Sequence, residues 1–198
     1  MKILIVGGGG TIGKAVAAEL SGRHEVVTAG RSSGDLRVDI TDLQSVRALY
    51  SAAGPLDAVA CAAGNVHFGP LEEMTSEQFD LGLRDKLMGQ VNLVTAGREG
   101  VRPGGSFTLI SGILGHDPIR YGASASMVNG AIDSFVRAAA IELHDRRINA
   151  VSPTVLLESM DAYGAYFRGY DAVPVARVAL AYSKSIEGAQ TGQIYRVL

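Results

Sequence analysis

The 198-residue sequence predicts an α/β fold: one doubly wound domain with a parallel seven-stranded sheet and helices on both faces. Short apolar runs of strand length alternate along the chain with segments of helical periodicity. Parallel strands need such crossover segments between them. The length also corresponds to one domain, because a typical domain holds roughly 150 residues.

The first half of the chain alternates strands and helices around glycine and polar turns. An apolar run and four glycines precede a helical pattern of Ile12, Val16 and Leu20. Thr41 or Asp42 caps the next helix, because short side-chain oxygens accept hydrogen bonds from free backbone N–H groups. The predicted elements are a strand over 2–6, a helix from Thr11, strands over 24–29 and 36–40, a helix over 43–53, a strand over 57–62 and one or two helices over 76–97.

The second half continues the alternation. The turn Pro103-Gly104-Gly105 precedes the fifth strand, since proline and glycine supply backbone angles that turns need. Pro153 ends the sixth strand, because proline cannot donate to a sheet ladder. The predicted elements are a strand over 106–111, a helix over 121–144, a strand over 147–151, a helix over 175–186 and a strand over 193–198.

Composition limits the class of protein. The 18 basic and 20 acidic residues give a formal net charge of −2, with no run of like charges that would bind nucleic acid or a membrane. No apolar stretch reaches the roughly 18 residues of a membrane helix, and the first ten residues lack the layout of a secretory signal. Cys61 is the only cysteine, and no metal-ligand spacing is present. We therefore expect a cytoplasmic protein that acts on a small molecule, with no nucleic-acid or membrane partner and no metal.

The glycine-rich segment over 7–13 is the strongest motif. Gly8, Gly10 and Gly13 fit G-x-G-x-x-G, and Gly7 gives the spacing G-x-x-G-x-x-G with the last two. The segment joins the first strand to the first helix, where glycines let the backbone approach a pyrophosphate and the helix N-terminus favours its charge. The alternative is a turn that only packs helix on strand. We predict a Rossmann-type dinucleotide site whose residues here are Gly7, Gly9, Gly10, Thr11, Ile12 and Gly13.

The end of the second predicted strand indicates which dinucleotide binds. NAD sites commonly place a carboxylate there, and NADP sites place a cation for the 2′-phosphate. This chain has no acid at that point, and Arg31 and Ser32 offer donors suited to a phosphate. The alternative for Arg31 is a solvated loop residue. We predict NADP in preference to NAD.

Further motifs follow in a fixed order over nearly the whole chain. They are Val38-Asp39-Ile40, Cys61-Ala62-Ala63-Gly64, Ile110-Ser111-Gly112, Asn149 to Pro153 and Thr191-Gly192-Gln193. Together they resemble the short-chain dehydrogenase/reductase superfamily, although both asparagines of its usual Asn-Asn-Ala-Gly are missing. The resemblance implies that Asp39 and Ile40 contact the adenine, and that Ala62, Ala63, Gly64 and Pro153 also contact the cofactor.

The catalytic pattern that the resemblance implies is incomplete. The superfamily reduces carbonyls with a tyrosine acid, a lysine four residues later, a serine, and an asparagine on the preceding helix. Tyr121 matches the tyrosine, but Ala125 stands at the lysine position. Gly112 takes the serine position with Ser111 beside it, and Lys86 stands at the asparagine position. The loss matters because a nearby positive charge favours the phenolate that proton transfer at pH 7 requires.

Three functions remain open. In the first, Lys86 replaces the missing ammonium, Tyr121 is the acid, and Ser111 or Ser124 supplies a hydroxyl, which gives an NADP-dependent oxidoreductase acting on a small carbonyl or alcohol. In the second, Lys86 is a surface or interface lysine, and the degenerate catalytic tetrad leaves an NADP-binding module that acts as a sensor or scaffold. The third is a non-redox isomerase or lyase at the same site.

Several other residues are weaker candidates. Residues 155–173 occupy the place of the superfamily's substrate lid, and their aromatics form either a mobile apolar-walled pocket or buried packing. His67 and His116 follow strands and are possible substrate contacts. Cys61 is more typical of a buried thiol than of a nucleophile, and Asn129 contacts either cofactor or a packed helix. The resemblance also implies a homodimer or homotetramer.

Overall fold

The computed structural model describes residues 1–198, and its seven strands are all parallel, in the order β3-β2-β1-β4-β5-β6-β7. The predicted α/β fold and its seven-stranded parallel sheet are therefore confirmed. The strands are β1 (Lys2–Val6), β2 (Glu25–Gly30), β3 (Leu36–Arg37), β4 (Leu56–Cys61), β5 (Val101–Ile110), β6 (Arg147–Pro153) and β7 (Ile194–Val197). The helices are α1 (Thr11–Ser21), α2 (Leu43–Ala53), α3 (Ser76–Gly82), α4 (Gly89–Gly97), α5 (Ala123–Glu142), α6 (Met160–Tyr163) and α7 (Val175–Glu187).

The central strand β1 is apolar at every position after Lys2, because both of its faces are buried. Leu4 and Val6 belong to the core between the sheet and α2, α4 and α5, whereas Ile3 and Ile5 belong to the core between the sheet and helices α1 and α7. Successive side chains of a strand point to opposite faces, so a sheet covered on both faces requires apolar residues at every position. No helix is both long enough and apolar enough to span a bilayer.

The structure corrects the bounds of several predicted elements. β5 begins at Val101, because the Pro103-Gly104-Gly105 turn forms an irregularity within the strand instead of preceding it. Leu56 and Ala58 of β4 pair with Val101 and Ser106, so the extra residues of β5 bulge out of the ladder. β3 is shorter than predicted and spans only Leu36–Arg37.

The strand order places a crevice along the edge of the sheet that is formed by the carboxyl ends of its strands. The chain runs from β1 outward to β2 and β3, and then returns to β4 on the other side of β1. Ligands of open α/β sheets bind at such a reversal, outside the carboxyl ends of the strands. The glycine segment after β1 and the motifs after β4, β5 and β6 all lie at this edge.

Candidate active site

The glycine turn between β1 and α1 has geometry that only glycine allows. Gly7 has a φ of +86°, and its N–H donates to the carbonyl of Ala29 at 2.8 Å. A Cβ atom on Gly13 would lie 2.7 Å from the carbonyl carbon of Gly7, so the helix approaches the turn too closely for a side chain. The N-cap residue of α1, Gly10, provides no side-chain cap, and the first turn has no acid. The first N–H groups of α1 therefore remain available to an anion.

The remaining predicted residues of this loop lie around the same turn. Gly9 is exposed, Thr11 is the first residue of α1, and Ile12 lines a cavity at the carboxyl ends of β5 and β6. Pro153, the last residue of β6, lines that cavity too, as do Ala62, Ala63 and Gly64 after β4. The structure thus brings the predicted cofactor residues of three strands to one edge.

Arg31 and Ile40, one of the two predicted adenine residues, line a small cavity of about 140 Å³ near the ends of β1 and β2. Arg31 Nη2 lies 3.3 Å from Asp39 Oδ1 and 3.8 Å from Asp85 Oδ2, while its side chain remains 60% exposed. The pKa of Asp39 is lowered, first because the Thr41 hydroxyl donates to it at 2.7 Å. Ser32 is exposed beside Arg31.

Asp85 is a residue that sequence reasoning missed. It is only 6% exposed and accepts a hydrogen bond from Asn65 Nδ2 at 2.8 Å. Together with Asp39 it surrounds the Arg31 guanidinium with two carboxylates, although no acid follows β2 directly. No sequence motif marks Asp85, because its contact with Arg31 depends on packing between distant segments.

Lys86 lies in a π-helical turn, Leu83–Met88, that joins α3 to α4. Such wide turns are frequent at functional sites. The Lys86 ammonium donates to Asn129 Oδ1 at 2.7 Å and to the backbone carbonyl of Ser111 at 3.0 Å. An ammonium has three N–H donors, so one remains for a ligand. Burial lowers the pKa of Lys86 to about 8.

Two neighbouring residues fix the position of Lys86. Gln90 donates to the Lys86 carbonyl at 3.0 Å, accepts from the N–H of Ile110 at 2.8 Å and donates to the Ile110 carbonyl at 2.9 Å. This fully buried amide therefore attaches α4 to the end of β5. On the opposite side, a Cβ atom on Gly64 would lie 2.6 Å from Lys86 Cγ. The glycine thus provides the space through which the lysine side chain passes.

Gly112 leaves space for the Asn129 side chain, as Gly64 does for Lys86. A Cβ atom on Gly112 would lie 2.9 Å from Asn129 Nδ2. Asn129 is 3% exposed and is the acceptor for Lys86. The missing side chain at the superfamily's serine position therefore makes room for the amide that holds the lysine.

These residues surround a cavity, which we name the lysine cavity. Its volume is about 340 Å³, and its polar lining includes Lys86, Ser111, Asn129 and Thr154. The hydroxyls of Ser111 and Thr154 are buried and have no hydrogen-bond partner. Unpaired buried hydroxyls are rare in native proteins, so two of them in one cavity fit a polar ligand. Thr154 was not among the site residues that the sequence predicted.

Asp133 is a further group near this cavity that the sequence did not mark as functional. Its carboxyl lies toward Ser111, Lys86 and the guanidinium groups of Arg137 and Arg196. The pKa of Asp133 is nevertheless raised, because burial outweighs these contacts. The thiol of Cys61, which is fully buried, has its pKa raised to about 12 by the same cause, and it remains protonated at neutral pH.

Tyr121 lies outside the lysine cavity, two residues before α5 begins. It has a φ of +66°, which is unusual for a residue other than glycine, and it is 39% exposed. Ala125, one turn further along, does line the lysine cavity. Tyr121 instead lines an adjacent pocket of about 540 Å³, which we call the aromatic pocket. Its walls include Phe68, Ile119, Tyr121, Ala162, Tyr163 and Tyr166.

The predicted lid forms part of both pockets. Its two ends are joined where Leu156 bridges to Val173. Phe167 is buried and packs with the small core cluster beneath the lid, whereas Tyr163 and Tyr166 are exposed at the aromatic pocket. Residues 155–173 therefore contribute both buried packing and pocket walls. His67 and His116 line neither pocket.

A glycine turn that opens α1 where the strand order reverses is typical of a dinucleotide-binding α/β domain. The family model described as "Enoyl-(Acyl carrier protein) reductase" matches residues 12–187. Versicolorin reductase 1 of Dothistroma septosporum is 29% identical over 84% of this chain and 73% of its own length. Short chain dehydrogenase/reductase AacuN of Aspergillus aculeatus is 33% identical over 76% of this chain and 67% of its own. Because the family model matches most of the chain, the chain belongs to that family. It therefore belongs to the short-chain dehydrogenase/reductase superfamily of NAD(P)-dependent oxidoreductases.

Solved structures agree with the assignment. The protein lin1944 from Listeria innocua is 48% identical, with a TM-score of 0.98 over 100% of both chains. A small-chain dehydrogenase in complex with NADPH is 25% identical, with a TM-score of 0.89 over 100% of this chain and 96% of its own.

Proposed function

We propose that this protein is an NADP-dependent reductase of small carbonyl compounds, or dehydrogenase of the corresponding alcohols, with Lys86, Ser111 and Tyr121 as its catalytic groups. The observation that carries the proposal is the Lys86 ammonium, which faces the lysine cavity with one N–H unused. Keeping a cation partly buried costs free energy, and two well-placed acceptors offset that cost.

The edge of the sheet fits the cofactor. The uncapped N-terminus of α1 and the unpaired hydroxyls of Ser111 and Thr154 provide donors and acceptors without partners in the chain. NADPH, when bound, supplies the hydride. The residues that would hold it are Gly7, Gly9, Gly10, Thr11, Ile12 and Gly13 at the pyrophosphate, Asp39 and Ile40 at the adenine, and Ala62, Ala63, Gly64 and Pro153 toward the nicotinamide.

The preference for NADP over NAD rests on Arg31 and Ser32. The Arg31 guanidinium is accessible and can form two hydrogen bonds with a phosphate. Asp39 and Asp85 neutralise part of its charge, and they also hold the side chain in place. We expect NADPH to bind at least about tenfold more tightly than NADH, a difference of about 1.4 kcal/mol. The expected effect of Arg31→Ala is to remove that difference, as measured by calorimetry.

Reduction also needs a proton for the carbonyl oxygen. With a pKa of about 8, Lys86 is mostly charged at pH 7 and is acidic enough to donate. Ser111 lines the same cavity, and we expect its hydroxyl to bind the same oxygen. The Tyr121 hydroxyl makes no hydrogen bond in the chain and belongs to the neighbouring pocket. It reaches the carbonyl oxygen only where this pocket meets the lysine cavity, at Phe68 and Tyr163.

A kinetic comparison separates these roles. We expect Lys86→Met to lower kcat for a panel of aldehydes and ketones about 10²- to 10⁴-fold, the usual contribution of a general acid. Lys184→Met is the matched control, because Lys184 is exposed on α7. If Tyr121→Phe lowers kcat as strongly as Lys86→Met does, Tyr121 is the acid. An unchanged kcat in Lys86→Met contradicts the catalytic role of Lys86.

A non-catalytic NADP-binding module is the second candidate function. It is favoured by Ala125 and Gly112, which place no functional group at two positions of the superfamily's catalytic tetrad. Its expected result is NADPH binding with no hydride transfer to any carbonyl. If neither NADPH nor NADH binds, both candidate functions are wrong.

Assembly and location complete the proposal. We expect a homodimer or homotetramer, to be measured by light scattering, and a cytoplasmic location, to be measured by cell fractionation. A monomer at micromolar concentration contradicts the first expectation.

A further inference from the structure

The aromatic pocket continues from the lysine cavity. Phe68 and Tyr163 line both spaces, so a molecule that fills the pocket reaches the cavity past these two rings. The two rings lie 6.1 Å apart at an angle of 48°. A volume of about 540 Å³ is within the usual range for sites that bind drug-sized molecules.

The chemistry of the pocket is aromatic and uncharged. No Asp, Glu, Lys, Arg or His side chain lines it. The rings of Tyr121 and Tyr166 meet edge to face, with their centroids 6.1 Å apart. Rings in such arrangements offer both a face and an edge to a further aromatic ring. The pocket therefore favours a planar, neutral molecule over an aliphatic or an ionised one.

Three phenols make the pocket suitable for a ligand with oxygen substituents. The hydroxyls of Tyr121, Tyr163 and Tyr166 form no hydrogen bond within the chain, whereas those of Tyr170 and Tyr182 both do. Each free phenol can donate one hydrogen bond and accept others. Hydroxyl or carbonyl groups at the rim of an aromatic ligand would satisfy them.

The backbone of Tyr121 supports a binding role. A φ of +66° costs a non-glycine residue about 1 kcal/mol or more, and such strain is concentrated at functional sites. The Tyr121 carbonyl accepts from the N–H of Gly69 at 3.1 Å, which ties the strained residue to the loop after β4. This contact holds Tyr121 next to Phe68, with its ring at the pocket.

We propose that the aromatic pocket binds the substrate, and that the substrate is a neutral aromatic carbonyl compound with oxygen substituents, or the corresponding alcohol. This inference rests on the proposed function. The carbonyl carbon receives the hydride that NADPH supplies, and the oxygen receives a proton from Lys86, so the products are the alcohol and NADP⁺. Tyr121, Tyr163 and Tyr166 determine which carbonyl compound enters.

The test combines turnover with binding. The aldehyde probes are 2-naphthaldehyde, hexanal and the anionic 4-carboxybenzaldehyde, each with NADPH. The binding probe is 2-naphthol, which contains no carbonyl to reduce and is measured by equilibrium dialysis. We expect kcat/KM for 2-naphthaldehyde to exceed that for each of the other aldehydes at least tenfold. We also expect Tyr166→Ala to lower this preference and 2-naphthol affinity about tenfold. Tyr166→Phe should retain the preference but weaken 2-naphthol binding, because it keeps the ring and removes a hydroxyl that can pair with the oxygen of the ligand.

The matched control is Leu157→Ala, which truncates an exposed lid side chain outside the pocket. It should change neither the preference nor 2-naphthol binding. If no aldehyde is turned over but 2-naphthol binding still weakens in Tyr166→Ala, the proposed function fails and the aromatic pocket stands as a binding site. If hexanal is reduced as efficiently as 2-naphthaldehyde, or if the unaltered protein does not bind 2-naphthol, the inference is overturned.

Discussion

Titration of Lys86 should make a contribution to the free energy of unfolding that increases as the pH rises above about 8. The pKa of this lysine falls from an ordinary 10.5 to about 8 in the folded chain. Between these two values the unfolded chain holds more protons than the folded chain, so the free energy of unfolding rises with pH. At about 1.4 kcal/mol for each pH unit, the full interval of about 2.5 units corresponds to about 3.5 kcal/mol. Below pH 8 both states are protonated, and this contribution does not change.

Urea unfolding of the unaltered protein and of Lys86→Met at several values between pH 7 and 10.5 measures the effect. Methionine keeps the unbranched apolar stem but cannot titrate, so titrations common to both proteins cancel in the difference between their free energies of unfolding. We expect this difference to increase by about 3 kcal/mol in favour of the unaltered protein between pH 7.5 and 10.5. Lys184→Met, at an exposed position on α7, is measured in parallel as the control for the loss of a lysine.

A difference that stays flat across this range would refute the reasoning. It would mean that the Lys86 ammonium is solvated in the folded chain and keeps its ordinary pKa. Its hydrogen bonds to Asn129 and Ser111 would then not describe the protein in solution, and its role as a proton donor near neutral pH would lose its physical basis. If Lys86 is the proton donor, kcat should fall above about pH 8, because the ammonium then loses the proton that it donates.

Three glycine and amide substitutions test the packing around the site. Gln90→Leu leaves the N–H and carbonyl of Ile110 without their Gln90 partners. It should lower the free energy of unfolding, measured by urea denaturation, by about 3 kcal/mol, and a loss below about 1 kcal/mol contradicts the role of the amide. Gly112→Ser restores the superfamily's residue but displaces Asn129, which holds the Lys86 ammonium, so it should lower kcat with NADPH about tenfold. A gain in turnover would contradict the geometry. Gly7→Ala places a Cβ atom 2.7 Å from the carbonyl oxygen of Ala62, at a residue whose φ is +86°. It should lower the free energy of unfolding by about 2 kcal/mol, measured by thermal unfolding, and an unchanged Tm contradicts this close contact.

The fold could be predicted from the sequence because its signals are local. The apolar run of β1 and the glycines after it lie within thirteen consecutive positions, and they identify a central strand, a turn and a helix start. The bulge in β5 could not be predicted in the same way. Its proline and glycines are turn residues, and only pairing with Leu56 and Ala58 of β4 shows that the strand resumes on both sides of them.

The candidate site was less accessible to sequence reasoning, because its contacts join segments far apart in the chain. Lys86 lines the cavity, as its predicted role as the replacement cation requires, but that role itself stays a prediction. Its partner Asn129 was left undecided between cofactor and packing. Tyr121 fits the motif by residue order, yet α5 starts two residues later and the ring lies in another pocket. A helical motif predicts which face a side chain occupies only where the helix has begun.

The departures from the superfamily pattern depend on one another. An ammonium at position 86 needs an acceptor, which Asn129 provides. Asn129 needs space, which Gly112 leaves, and the lysine stem needs space, which Gly64 leaves. The Lys86 ammonium is partly buried and has acceptors at 2.7 Å, on Asn129, and 3.0 Å, on Ser111. An apolar side chain such as methionine at position 86 would avoid the free-energy cost of desolvating this charge. Random loss of catalytic residues would therefore not be expected to leave a lysine here. The retention of a satisfied ammonium at a cavity with two unpaired hydroxyls favours an altered catalytic arrangement over a lost one.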